Sequence, residues 1–194
     1  MNTISEIVCG EFVSKGSKFL AFLMPYRCFD TGLADLKKTH LKAVHFVYAY
    51  RFFDGVRVCE GFSDDGEPRG SSGRPVLNVL RGEELVDVGV VVVRYFGGVL
   101  LGVGGLVRAY SKSVLLSIQT AKDAGAMGVF EICENISLEC PYALLGRVEY
   151  LAKKMGLALE KEGFLEKSVR LKLFGNVQNT QDFLAIYKQD LVFE

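Results

Sequence analysis

Between Asp87 and Asp123 the chain carries no carboxylate, and the stretch enclosed, Val88 to Lys122, constrains the fold more than any other. It starts as VGVVVV, a short apolar run rich in β-branched residues, which reads as a strand buried on both faces. It finishes as a helix, because Leu106, Tyr110, Val114 and Ile118 recur every four residues and make one apolar stripe. Between the two lie Gly97, Gly98, Gly102, Gly104 and Gly105, which free the backbone for left-handed angles and close approach. A strand, a glycine-rich turn and a helix start point unpaired N–H groups outward, with the positive end of the helix dipole behind them. Arg108 and Lys112 share the face opposite the stripe, and Arg94 closes the valine run. The stretch reads as a place for an anion.

The rest of the chain bounds what that anion can be. With 194 residues, 49% of them hydrophobic and 24% charged, it has the composition of a globular protein with a real core. The formal net charge of zero argues against coating nucleic acid by bulk charge and leaves room for a local basic patch. Cys9, Cys28, Cys59, Cys133 and Cys140 form no CxxC pair, and their odd number reads as reduced thiols in the cytoplasm. The opening residues, MNTISEIVCGEFVSKGSKF, lack the pattern of a signal peptide, and no apolar run reaches the ~20 residues that span a bilayer. The expectation is a cytoplasmic protein without a membrane partner.

Taken in order, Lys18 to Tyr26 reads as a buried strand closed near Pro25, followed by a helix from Asp30 or Thr31 to about Leu41 with Leu33, Leu36 and Leu41 inward. Ala43 to Phe53 alternates, with Val44, Phe46, Tyr48, Tyr50 and Phe52 on one face and His45, Val47, Ala49, Arg51 and Phe53 on the other. Asp54-Gly55 is a hairpin signal leading to a return strand from Val56. SDDGEPRGSSGRP, Ser63 to Pro75, can be neither helix nor strand, and a loop this long points to function or mobility. Pro75 opens a short helix before the valine strand. Beyond Gly125 the pattern is strand (128–138), helix (141–155), strand (156–161), strand (167–174), helix (180–188) and a short terminal strand. That βαββαβ order is ferredoxin-like, so the fold class is α+β with domains at 1–125 and 126–194.

Several residues offer chemistry, each against a plainer role. Asp64, Asp65 and Glu67 have the oxygens a hard cation wants, yet beside Arg69 and Arg74 they read better as acids that orient the arginines and cap helices. Arg69, Ser71, Ser72 and Arg74 are then the ligand contacts of the loop. His45, on the face of Arg51, is a possible base at neutral pH, but no nucleophile pattern accompanies it. Tyr48, Tyr50 and Phe52 read as core rather than as a stacking platform, and Cys133 and Cys140 as structural. A buried Arg94 needs a partner or a ligand.

His45-x-x-x-Ala49-Tyr50-Arg51, SDDGEPRGSSGRPVL, VVVVRYFGG and LGVGGLVRAY together resemble the successive signature blocks of the YigZ/IMPACT family. The resemblance covers most of residues 15–120, and more weakly PYALLGRVEYL in the tail. One departure is that Phe46 and Val47 stand where the family usually has Asn and Cys, so any role of that cysteine is absent. The resemblance implies an N-terminal domain like the second domain of a small-subunit ribosomal protein, a β-sheet with helices on one face. It implies a C-terminal domain like the ferredoxin-like domains of elongation factor G. It also implies kinship with eukaryotic proteins of translational control, although one fold hosts many functions.

The leading expectation is a translation-linked, non-enzymatic factor that binds RNA or the ribosome through Arg69, Ser71, Ser72, Arg74, Arg94, Gly97, Gly98, Gly104, Gly105, Arg108 and Lys112. His45, Arg51, Asp64, Asp65 and Glu67 support it, with no catalytic residue, metal or cofactor. The rivals are an enzyme or sensor for a small phosphorylated metabolite, since GVGGL also resembles the phosphate loops of small-molecule kinases, and a protein–protein adaptor using the C-terminal sheet.

Overall fold

The computed structural model of the chain describes residues 1–191, the side chains of Asp190 and Leu191 excepted. It divides into two compact units, Met1–Phe130 and Glu131–Glu194.

The first unit is built on the valine run. Strand β6 (Val88–Tyr95) is the centre of an antiparallel sheet ordered β2-β3-β6-β4-β5, flanked by β3 (Ser17–Pro25) and β4 (His45–Phe53). The edges are β2 (Val8–Ser14) and β5 (Val58–Ser63). Val90 and Val92 enter one core with Phe19, Leu23, Val47 and Ala49, whereas Val91 and Val93 enter another with Met24 and Phe29. Every valine of the run is fully buried, each side chain contributing about 1.5–3 kcal/mol.

Helices α2 (Gly73–Gly82) and α3 (Val103–Asp123) cover the Val90 face, and all four residues of the expected stripe, Leu106, Tyr110, Val114 and Ile118, are buried there. Helix α1 (Phe29–Thr39) covers the opposite face, so helices flank the sheet on both sides rather than on one. Phe29 reaches the sheet because Gly89 leaves room; a Cβ at Gly89 would lie 2.3 Å from its ring. Tyr48 and Tyr50 pack against Phe29, and Phe52 stacks on Tyr26 at 4.3 Å, which makes them core. Leu41 departs from expectation. The helix ends at Thr39, the His40 N–H closing on Leu36 O, and Leu41 is left 83% exposed.

At the hairpin, Asp54 accepts from the N–H groups of Arg57 and Val56 and from the Cys59 thiol, which holds its carboxyl at about 2. The strand expected over 128–138 is two pieces. Strand β7 (Met127–Val129) pairs with β1 (Asn2–Ile4), and β8 (Cys133–Pro141) belongs to the second unit. The first unit therefore runs to Phe130, beyond the expected cut at Gly125, because pairing with the chain's start holds residues 127–129.

The second unit is a three-stranded antiparallel sheet, β8-β10-β9, with β9 at Ala158–Phe164 and β10 at Ser168–Asn176. Helices α4 (Leu145–Lys154) and α5 (Val177–Ile186) supply Val148, Ala152 and Phe183 to its core. The interleaved strand order is that of a ferredoxin-like unit. The terminal strand expected after Lys188 lies in part outside the described residues; as far as Leu191 the chain is instead a π-helical turn (Tyr187–Leu191). Cys133 is exposed and Cys140 buried, on opposite faces of β8.

Close packing of α3 on the edge strand depends on Gly10, where a Cβ would fall 2.2 Å from the Ser117 backbone nitrogen. Gly10→Ala is expected to lower stability by about 1–3 kcal/mol through overpacking, read as a lower urea midpoint. An unchanged midpoint would show that α3 does not sit against β2 in this way.

Candidate ligand site at the start of the long helix

Helix α3 begins without a cap. Gly102 takes φ +71°, no side chain caps the helix, and its first turn holds no acid. The first helical bond is Leu106 N–H to Gly102 O, so the N–H groups of Val103, Gly104 and Gly105 have no protein partner among the described residues. Gly104 faces open space.

The Ser63–Pro75 loop folds back on β4 and β6 through its acids. Asp64 caps α2, accepting from the N–H groups of Ser72 and Gly73, the Ser72 hydroxyl and the Gly70 N–H. Burial pushes the Asp64 carboxyl up, but these hydrogen bonds outweigh it and hold the group below the ordinary carboxylate value. Asp65 turns the chain with φ +44° and accepts from Phe46 N–H. Its carbonyl lies 2.7 Å from His45 Nδ1; a carbonyl only accepts, so Nδ1 is a donor here. Glu67 follows, buried to 8% exposure, with Oε1 in an ion pair to Arg94 Nη1 and 2.7 Å from the Tyr110 hydroxyl. His45 Nε2 stands 3.9 Å from the same oxygen.

Arg94 therefore has its partner, Glu67. Its guanidinium sits 5.5 Å from the Phe19 ring centroid and 5.7 Å from that of Phe96. Its Nε is buried with no hydrogen-bond partner, a state that costs about 1–3 kcal/mol. Burial, and then the hydrogen bond and charge of Glu67, push Tyr110 far above its ordinary value, so the phenol stays protonated and donates.

Over this ionic floor lies a cavity of about 420 Å³, within the ~300–1,000 Å³ usual for small-ligand sites. His45, Glu67 and Arg94 line it on one side; Val44, Phe96, Leu100, Leu101, Val103 and Leu106 make the apolar wall. The wall and the Tyr110 hydroxyl are missing from the expected site. Tyr110 hides in an apolar stripe, and the wall residues are ordinary hydrophobics in sequence.

Other expected contacts sit elsewhere. Ser71 and Ser72 are fully buried, their hydroxyls bonded to Pro68 O and Asp64, so neither reaches a ligand. Arg51 is bound to Glu60 and to the carbonyls of Leu80 and Leu85. It lies six residues along β4 from His45, roughly 20 Å away. Gly97 packs on Gly16, where a Cβ would lie 1.9 Å from the carbonyl carbon, and its N–H donates to Ser17 Oγ. Gly97 is thus a packing residue, whereas Gly98 (φ +84°) faces open space and Gly105 packs on Leu101. Arg69 and Arg74 are exposed, and the acids of the loop do not orient them, being committed to α2, Phe46 and Arg94. Arg108 and Lys112 are exposed on α3, with no ion-pair partner among the described residues. No described helix is long and apolar enough to cross a membrane.

These features lie in a chain of known kinship. Residues 15–118 match the model of the Impact N-terminal domain. An IMPACT family member of Haemophilus influenzae is 34% identical over 167 residues, covering 82% of this chain and 77% of its own. One of Thermus thermophilus is 39% identical over 158 residues, covering 81% and 83%. The chain belongs to the IMPACT family. A crystal structure described as that of a hypothetical protein aligns over 97% of this chain and 92% of its own, with 26% identity and a TM-score of 0.68.

Removing the cap acceptor by Asp64→Ala is expected to cost about 1–2 kcal/mol at pH 7. Because the folded-state value of Asp64 is depressed, its contribution is fully present above the ordinary carboxylate range and lost as pH falls through the folded value. The stability gap between wild type and variant, from urea titrations, should therefore close in strong acid; a gap independent of pH would show that Asp64 is not the ionised cap.

Proposed function

We propose that this protein is a translation-linked regulatory factor that engages RNA or the ribosome through the N-terminal half of α3. The observation that carries the reading is the pairing of two exposed, unneutralised cations, Arg108 and Lys112, with the unpartnered N–H groups of Val103, Gly104 and Gly105 on one helix. Four residues apart, the cations follow one side of the helix, and its N-terminal dipole adds to their field. Exposed Arg69 and Arg74 enlarge the basic character of the unit. Family membership supports the translational side: Protein IMPACT of Rattus norvegicus is 34% identical over 93 residues, 44% of this chain and 29% of its own. Against the rival, an enzyme or sensor for a small phosphorylated metabolite, stands the engagement of Asp64 as a helix cap and of Asp65 as a strand acceptor.

Salt-sensitive comigration with ribosomal particles in sucrose gradients is the expected behaviour. Arg108→Ala with Lys112→Ala is expected to leave stability unchanged and to lower the slope of log affinity on log salt by roughly 1.5, as two lost phosphate contacts require. Undiminished affinity and slope in the double variant would remove this face from RNA recognition.

A further inference from the structure

We infer that the cavity at the start of α3 docks the C-terminus of a partner polypeptide, its last side chain apolar and its terminal carboxylate on the free N–H groups of the helix. The inference goes beyond the RNA reading and does not rest on it.

The wall of the cavity is apolar and exposed. Val44, Phe96, Leu100 and Val103 line it yet remain open to solvent, Leu100 to 82% and Val103 to 59%. Val99, in the same connection between β6 and α3, is half exposed as well. Large apolar side chains scattered singly over a surface are ordinary, but several gathered around one cavity mark a surface that another molecule covers. A ligand small enough to vanish into the cavity would leave Leu100 in water. A chain that enters by its end covers the rim with the residues that precede that end.

The charge of the occupant follows from the helix. Gly102 and Val103, the N-cap and first residue of α3, border the cavity. The N–H groups at that end point back along the axis, lack protein partners among the described residues and carry the positive end of the dipole. On the floor, Arg94 is 5% exposed and its Nε has no hydrogen-bond partner. Both sides of the cavity are thus short of acceptors, not of donors. Among the described residues the lining holds one acid, Glu67, and Arg94 matches its charge, so an anion meets no net repulsion.

Spacing selects the kind of anion. Val103 supplies both a free N–H and a piece of the wall, so the anion seat and the apolar seat lie within one residue of each other. In a C-terminal residue the carboxylate and the side chain branch from one Cα, which meets that demand without a second residue. An internal Asp or Glu carries its charge at the tip of a side chain and must borrow an apolar neighbour. Backbone N–H groups capture terminal carboxylates in this manner. The rim, aliphatic apart from Phe96, suits a peptide better than a run of stacked bases.

The test is calorimetric titration of the full chain with acetyl-Ala-Ala-Ala-Leu bearing a free carboxylate, its C-terminal amide, the same acid ending in Ser, sodium octanoate and a single-stranded RNA. The Leu acid is expected to bind at least about tenfold more tightly than the Ser acid, from burial of the side chain, and than the amide, from the charge. Leu100→Asp, at a side chain already in water, is expected to hold the melting temperature and to weaken the Leu acid by at least about tenfold. No binding of the Leu acid, equal binding of acid and amide, or undiminished binding by Leu100→Asp overturns the inference. Octanoate bound as tightly as the Leu acid overturns it in favour of a free fatty acid. RNA binding without peptide binding overturns it and leaves the RNA reading standing. Selective binding of the Leu acid without RNA binding supports it and overturns the RNA reading.

Discussion

The ion pair between Glu67 and Arg94 is the interaction on which the first unit's functional face depends. Arg94 is the last residue but one of the central strand, Glu67 lies in a loop nearly thirty residues earlier, and Tyr110 brings the long helix to the same carboxylate oxygen. Removing either charge would leave the other buried and unpaired, a loss of about 3–5 kcal/mol in comparable pairs. The pair is a weak source of net stability, since burial of both charges offsets their attraction. Its effect is geometric: it holds a long, glycine-rich loop against the sheet, so that His45, the cavity wall and the start of α3 keep fixed positions.

Two glycine roles are separated by the same geometry. Gly10 and Gly97 sit where another backbone passes, and they serve packing. Gly102 and Gly104 stand where the chain meets open space, at the start of a helix whose first N–H groups lack partners. A glycine-rich stretch therefore encodes both a tight joint and an exposed anion-binding edge, a few residues apart.

Much of the fold was legible locally. The valine run declared a strand buried on both sides, and the four-residue recurrence from Leu106 to Ile118 declared the helix beside it. The alternation from Phe46 to Tyr50 correctly sorted core faces, whereas Val44 precedes the strand and is half exposed beside His45 on the cavity. The failures share a physical origin. Met127–Val129 was joined to the next strand because its true partner, Asn2–Ile4, is far off in sequence. Ser71 and Ser72 read as ligand contacts, and Arg51 as a supporting residue, because polar residues in a loop or on a strand face look available until their partners are known.

The sequence alone determined the basic, carboxylate-free stretch, the unpaired helix start and the need of Arg94 for a partner, since each follows from residue type and local periodicity. Tertiary structure alone decided that the partner is Glu67, that Tyr110 is a donor and that ordinary hydrophobics from two connecting segments and a helix enclose a cavity over them. Local pattern reports which face of an element is buried; which polar atoms meet there depends on contacts between residues tens of positions apart, and only the folded chain brings those together.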